Sequence, residues 1–364
     1  MNLKQLSKIY RLFIPQNTPL YLIQYITASC NSKCKMCFYW QNIDSQNKDK
    51  ELKLNEFEKI AKNFNKLLQL SLTGGEPFLR EDIVEICKIF VKHTDPLVVT
   101  IPTNALMPDK ISNMANNILK SCSNTFFRFS LSLDGIGSKH DEIRGIKGNF
   151  EKVLETYNNL DKLRNSFKNF NIDMGTVISK YNQNDVEDIF IYVEKNLKID
   201  NHYFALARGN TRFDIAKEVD LKNYEKMISY KRKQMKLAER RPFSRIFREV
   251  FELNTEILLE IVKQQRMVIP CVAGKNMIVI NEKGDVYPCE ILESRIGNIR
   301  NGNYDIKQII KTKSCNDILK YIAENKCFCT FECAINASIV FNPSLYPKVF
   351  WNVLKNGKKT VEAQ

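Results

Sequence analysis

Six short β-like runs, five of them followed by an amphipathic helical run, fill the chain from about residue 20 to 207. The strand candidates are Leu20–Thr27, Leu67–Leu72, Leu97–Ile101, Phe126–Leu133, Asn171–Ile178 and His202–Leu206. Helical runs near 54–65, 82–93, 109–121, 149–166 and 184–197 place apolar residues three and four apart. Leu54-Asn55-Glu56 supplies a polar start for the first helix, and Asn149 a candidate cap for the fourth. Repeated β-then-α units imply a parallel sheet with right-handed crossovers. The expected fold is therefore α/β, a partial (β/α)6 barrel with its functional groups at the carboxyl ends of the strands.

The residues after each strand suit that rule. They are Ser29-Cys30, Thr73-Gly74-Gly75-Glu76-Pro77, Thr103-Asn104, Asp134-Gly135, Ser179-Lys180 and Arg208-Gly209-Asn210. In the barrel reading all of them share one rim. Residues 212–269 break the alternation and read as a charged helical insertion. From Pro270 onward, Asn276–Asn281 and Asp285–Pro288 flank Glu282-Lys283-Gly284 as a β-hairpin, and a final helical stretch holds Trp351. The expected division is 1–211, 212–269 and 270–364.

Cysteines carry the chemical signal. The chain has eleven in 364 residues, and they cluster: three between 30 and 37, three between 327 and 333. No apolar run reaches the roughly 20 residues of a membrane span, and the N-terminus lacks a signal-peptide pattern. The expected compartment is the cytoplasm, where thiols stay reduced and such clustering points to metal ligation. Cys30-x3-Cys34-x2-Cys37 follows the first strand directly. Three thiolates on one loop suit three irons of a [4Fe–4S] cube, leaving the fourth iron open to a cofactor's amine and carboxylate. A structural zinc site would want a fourth ligand, and no His or further Cys stands nearby.

With this spacing after the first strand, the chain resembles the radical S-adenosylmethionine superfamily. Met36 departs from that family's usual aromatic residue before the last cysteine, although Met can fill the same apolar place. The resemblance implies that Gly74, Gly75, Glu76 and Pro77 contact the cofactor's amino group. It implies that Ser132 and Arg144, within Ser132-Leu133-Asp134-Gly135 and HDEIRG, grip its carboxylate. Thr103, Asn104 and Val177 fall where the family touches ribose and adenine. Arg208 is a further candidate for the carboxylate, or else a surface arginine.

The C-terminal cysteines resemble the region called SPASM in its full form and twitch in its shorter form, which carries auxiliary iron–sulfur clusters. Cys271, Cys289, Cys327, Cys329 and Cys333 would fill one four-ligand [4Fe–4S] site with one thiol spare, and spacing does not identify the spare one. Cys327-x-Cys329 departs from the commoner two-residue gap. Zinc suits four thiolates equally. Cys315 stands apart, while Cys87 and Cys122 read as packing residues.

The resemblance implies reductive cleavage of S-adenosylmethionine to a 5′-deoxyadenosyl radical that takes a hydrogen atom from a substrate. A small molecule, such as a sugar or alcohol undergoing oxidation or epimerisation, ranks ahead of a peptide, because no leader-binding domain is expected before residue 20. A non-catalytic iron–sulfur or zinc sensor is the competing class. The expected partner is an electron donor such as flavodoxin or ferredoxin. The net charge of +14 is spread along helical faces, so nucleic-acid binding is not expected. The basic run Lys231 to Arg241 reads as a solvated helix face or a site for an acidic partner.

Overall fold

The computed structural model describes residues 7–237, 244–324 and 327–359. Its centre is a nine-stranded sheet in the order β6-β5-β4-β3-β2-β1-β7-β8-β9. The strands are β1 (Tyr21–Thr27), β2 (Gln69–Gly74), β3 (Val98–Thr103), β4 (Phe126–Ser132), β5 (Phe170–Ile178), β6 (Asn201–Leu206), β7 (Met277–Ile280), β8 (Asp285–Tyr287) and β9 (Gly297–Asn298). The first six are parallel, each beside its sequence neighbour. Within this sheet β6 and β9 are the end strands. The expected hairpin forms as β7 and β8, antiparallel. It does not stand apart from the sheet: β7 lies parallel to β1, Tyr21 opposite Met277.

Helices Leu54–Asn63, Ile83–Thr94, Pro108–Ser121, Asn149–Lys162 and Val186–Asn196 follow the first five strands. Their apolar stripes pack on Leu22, Ile26, Leu70, Leu72, Val99, Ile101, Phe127, Phe129, Leu131, Ile172 and Met174, one alternating set of strand residues. The opposite set is apolar at Ile23 and Val279 but polar over β2, β4 and β5. It includes Ser71, Arg128, Ser130, Asp173 and Tyr203, joined by Arg128 to Asp173 at 2.5 Å and Ser130 to Tyr203 at 2.6 Å. Parallel strands usually bury apolar residues on both faces, so this inner face is built for something other than a core.

Two local expectations change. Asn149 does not cap its helix. Asp141 does, accepting from the Gly148 and Phe150 backbone N–H groups at 2.5 and 2.8 Å, while Asn149 turns inward to donate to the Asn104 carbonyl. Lys231 is no solvated residue either. It is buried and donates to Asn201 Oδ1 and the His202 carbonyl, at 2.7 and 2.6 Å. Arg232 is exposed but paired with Glu252. Residues 238–241 of that basic run lie outside the described residues. The insertion is helical at Leu221–Leu237 and Ser244–Gln264. No helix among the described residues is long and apolar enough to cross a membrane.

Glu56 ties the first helix to the end of the sheet. It accepts from Arg300 Nε at 2.7 Å, Tyr304 Oη at 2.8 Å and the Lys53 N–H at 2.9 Å. The Arg300 hydrogen bond above all pulls its carboxyl down to about 2. A carboxyl depressed in the folded state stabilises above its unfolded value, near 4.5, and that stability is lost as pH falls toward 2. Glu56→Gln should therefore cost about 1–2 kcal/mol at pH 7, discounted for the part-exposed arginine. Urea unfolding at stepped pH should show the deficit shrinking below about pH 4.5.

Candidate active site

The loop after β1 begins at Ala28 and carries Cys30, Cys34 and Cys37. It is held by the chain around Arg144. The Lys33 and Lys35 N–H groups donate to the carbonyls of Arg144 and Ile143 at 3.1 and 3.0 Å, and Ser32 Oγ donates to the Arg144 carbonyl at 2.9 Å. Met36 is buried against Ile143, Ala207 and Ala216, so it fills an apolar seat despite departing from the aromatic pattern. On the far side Arg212 and Phe213, past β6, donate N–H groups to the carbonyls of Cys37 and Lys35.

The glycines after β2 are there for close approach. Gly74 has φ +122°, and a Cβ on Gly75 would sit 2.2 Å from the Ser29 carbonyl oxygen. Only a residue without a side chain lets this turn lie against the cysteine loop. Glu76 is buried behind it, accepting from Phe78 N–H, Thr103 Oγ1 and Asn104 N–H at 3.1, 2.9 and 2.7 Å. Burial pushes its carboxyl up to about 7, against the pull of these donors. Glu76 and Thr103 therefore join the tips of β2 and β3, and Pro77 starts a buried 3-10 turn. Asn104 donates to Asn31 Oδ1 at 2.7 Å, with its amide 3.9 Å from Cys30 Sγ.

Arg144 and Asp134 form the other wall. Asp134 is fully buried. Its carboxylate accepts from the Val177 N–H at 2.7 Å and lies 2.5 Å from Arg144 Nε in an ion-pair contact not aligned as a hydrogen bond. Arg144 Nη1 points at Cys34 Sγ, 3.5 Å away. The guanidinium thus bridges a buried carboxylate and the Cys34 thiol. Val177 and Cys34 both pack against the apolar cluster around Met36, and Ser132 is half-buried at the end of β4. Arg208 lies elsewhere: it pairs with Glu332 at 2.7 Å and covers the Phe331 ring.

Two supporting residues were missed from sequence. His140 accepts the Asp134 N–H on Nδ1 at 3.0 Å and faces Asn149 Oδ1 through Nε2 at 3.2 Å. Burial, then the charge of Arg144, lowers its ring to about 3, so it is neutral with the proton on Nε2. Asn182 donates to the carbonyls of Asp134 and Val177, both at 2.9 Å. His140 stood inside the quoted HDEIRG segment; Asn182 had no signal beyond its place after β5.

Cys30, Cys34 and Cys37 share one loop on this rim. Burial, then Cys34, pushes the thiols of Cys30 and Cys37 up to about 12. That is how apposed, unligated thiols behave, and ligation to a cation would reverse it. The donor set, three sulfurs beside a guanidinium and glycine backbone, fits a [4Fe–4S] cluster with a zwitterionic cofactor. The C-terminal thiols lie apart: Cys271, Cys289, Cys327 and Cys329 share an apolar cluster with Tyr39 and Phe331. Among the described residues no three His, Cys, Asp or Glu side chains are grouped to hold one metal ion, so neither set is preassembled around a single ion.

A mostly parallel α/β sheet with polar and glycine-rich groups gathered at its strand tips is the arrangement in which α/β enzymes place their sites. Residues 25–193 match the Radical SAM superfamily. Over those residues the chain carries a domain of that enzyme superfamily. It is 26% identical over 298 residues to the AdoMet-dependent heme synthase of Methanosarcina barkeri, covering 78% of this chain and 80% of the relative. The fold matches native anSMEcpe with bound AdoMet at a TM-score of 0.56 and 18% identity, over 93% of this chain and 100% of that one. It also matches Streptococcus suis SuiB bound to precursor peptide SuiA, at 0.58 and 19% identity, over 87% and 70%. Such coverage extends the likeness beyond the first six strands into the C-terminal region.

Proposed function

We propose that this protein cleaves S-adenosylmethionine reductively and uses the resulting radical on a small polar molecule, with an auxiliary cluster in the C-terminal region. The observation that carries the cofactor chemistry is the shared rim of Cys30, Cys34, Cys37, Gly74, Gly75 and Arg144. When bound there, a [4Fe–4S] cluster supplies the electron that splits the sulfonium to methionine and a 5′-deoxyadenosyl radical. The protein's part is positional. The Gly74-Gly75 backbone approaches the cofactor's amino group, and Arg144, fixed by Asp134, offers a guanidinium toward its carboxylate with Ser132 beside it. Thr103, Asn104 and Val177 border the nucleoside side. Residues 1–211 act as this core, 212–269 as a helical cover and 270–364 as the auxiliary-cluster region.

The inner face of the sheet supports a polar substrate. Thr100 Oγ1 and Asp173 Oδ1 are buried there without a hydrogen-bond partner, and a ligand hydroxyl would satisfy either. A sugar or alcohol suits such a wall better than an apolar side chain would. A peptide is the second reading, since SuiB was solved with one; likeness at that identity carries the fold, not the substrate. A net charge of +14 favours an acidic electron donor of the flavodoxin or ferredoxin kind.

Anaerobic protein with reductant and S-adenosylmethionine should yield 5′-deoxyadenosine; iron-loaded protein that yields none would support a sensor instead. Arg144→Ala should weaken cofactor binding roughly 10- to 150-fold, the value of a charged hydrogen bond. It also strands Asp134 as a buried charge, so about 3–5 kcal/mol of stability should go with it. Equilibrium binding and urea unfolding separate the two losses, and unchanged affinity would remove Arg144 from the cofactor site.

A further inference from the structure

Five thiols are available to one four-ligand cluster, and the fold treats one of them differently. Helix Glu332–Val340 begins against β6. Glu332 accepts from the Leu206 N–H at 3.0 Å and from Arg208 Nη1 at 2.7 Å. The Arg208 guanidinium lies 4.5 Å over the Phe331 ring. With Phe331 and Glu332 so anchored just before it in the chain, Cys333 is turned toward the inner face of the sheet. Its surroundings are Tyr21 of β1, Arg208, Glu290 and Glu332. It keeps an accessible surface there, next to the polar wall that runs through Tyr21 and Ser71, 3.1 Å apart. Glu290 accepts from Tyr25 at 2.8 Å on the same strand.

The other four thiols act on one another: Cys329 and Cys271 on Cys289, and Cys271 on both Cys327 and Cys329. Cys289 is buried in an apolar cluster that Cys271, Cys327 and Cys329 flank, along with Tyr39, Ile291 and Leu292. Burial apart, the groups that act most strongly on Cys333 are Glu290, Arg208, Glu332 and Tyr21, none of them one of these thiols. Backbone bonds hold the two earlier cysteines in register. The Gly274 N–H donates to the Pro288 carbonyl at 3.1 Å, joining the turn after Cys271 to the residue before Cys289. The Val272 N–H donates to Ser338 Oγ at 3.2 Å, which brings the same helix against that turn through a different face from Cys333. Cys289 Sγ accepts the Leu292 N–H at 3.3 Å, a hydrogen bond of the kind that supports a ligating sulfur.

We infer that Cys271, Cys289, Cys327 and Cys329 are the four ligands of the auxiliary cluster, and that Cys333 is a free thiol on the wall of the substrate space. Four thiolates complete one [4Fe–4S] cube without it. Cys333 then presents an S–H to a bound molecule between an acceptor, Glu290, and a donor, Arg208. The assignment rests on the auxiliary-cluster reading above and goes beyond it in choosing the ligands.

Single Cys→Ala variants test it by iron content and by the electron paramagnetic resonance of the reduced protein, with no substrate needed. Wild type should hold about eight irons per chain, and Cys333→Ala should keep them all with an unchanged spectrum. Each of the other four variants should fall to about four irons, the remaining signal being that of the Cys30, Cys34 and Cys37 cluster, which also reports a folded core. In the anaerobic, loaded wild type, N-ethylmaleimide should modify Cys333 and spare the four ligands. Loss of half the iron in Cys333→Ala, or full iron in any of the other four, would overturn the assignment. So would labelling of a supposed ligand in place of Cys333. A wild type with about four irons is a separate failure, since it removes the auxiliary cluster itself.

Discussion

Replacing Cys30, Cys34 and Cys37 together by Ala should take the reconstituted protein from about eight irons per chain to about four and abolish 5′-deoxyadenosine formation. The loss is all-or-none because no neighbouring group replaces a thiolate. Around the loop stand Asn104, Arg144 and the glycine turn, none of which ligates iron. The loop itself should survive. Its backbone is bonded to Arg144, Ile143, Arg212 and Phe213 through main-chain groups that the substitutions leave alone. Without a bound cluster, Cys30 and Cys37, pushed up to about 12 by burial and by Cys34, are neutral thiols, so replacing them removes no charge on which the loop depends. Far-ultraviolet circular dichroism and urea unfolding should match wild type freed of iron. Residual 5′-deoxyadenosine above the background of heat-treated protein would place the chemistry elsewhere.

Replacing Cys271 and Cys289 by Ala should also cost about half the iron, yet leave slow, substrate-independent cleavage of S-adenosylmethionine. Turnover of the substrate should cease. The two sets of thiols stand on different parts of the sheet: one set on the loop after β1, the other around β7, β8 and helix Glu332–Val340. The Tyr25 and Tyr39 rings meet edge-on, centroids 4.6 Å apart, within the apolar cluster that the C-terminal thiols Cys271, Cys289, Cys327 and Cys329 share. Cys289 is buried, and metal binding can itself be folding energy. The variant must therefore be compared with wild type in its unfolding transition. A well-folded double variant with a normal rate on substrate would make the second cluster structural only.

The strand and helix order was legible because each unit carries its own signal. β4, Phe-Phe-Arg-Phe-Ser-Leu-Ser, alternates apolar with polar, and Asn149–Lys162 repeats its apolar residues at helical spacing. Local patterning of that kind survives in any context where one face is buried. The inner wall was written in the same alternation: Arg128, Ser130 and Ser132 fall on one face of β4. Read only as a strand signal, it left the polar interior unnoticed. The cap on helix Asn149–Lys162 went to Asp141, eight residues upstream of Asn149, because helix Ser138–Arg144 folds back beside it. A capping rule confined to adjacent residues has no access to such a partner.

Order along the chain, the cysteine spacing and the glycine turn were thus determined by the sequence alone, since each depends on residues a few positions apart. The tertiary structure decided what depends on distant segments meeting. It set β7 beside β1 and continued the sheet into the C-terminal region. It gave Arg144 to Asp134 and Cys34, and Arg208 to Glu332, although both arginines looked alike as candidates for one carboxylate. It also set Cys333 among Tyr21, Arg208 and Glu290, all distant from it in sequence. Helix Glu332–Val340 presents different faces to β6 and to the turn after Cys271. The rotation of a helix about its own axis is set by the surfaces it packs between, and spacing along the chain does not record those surfaces.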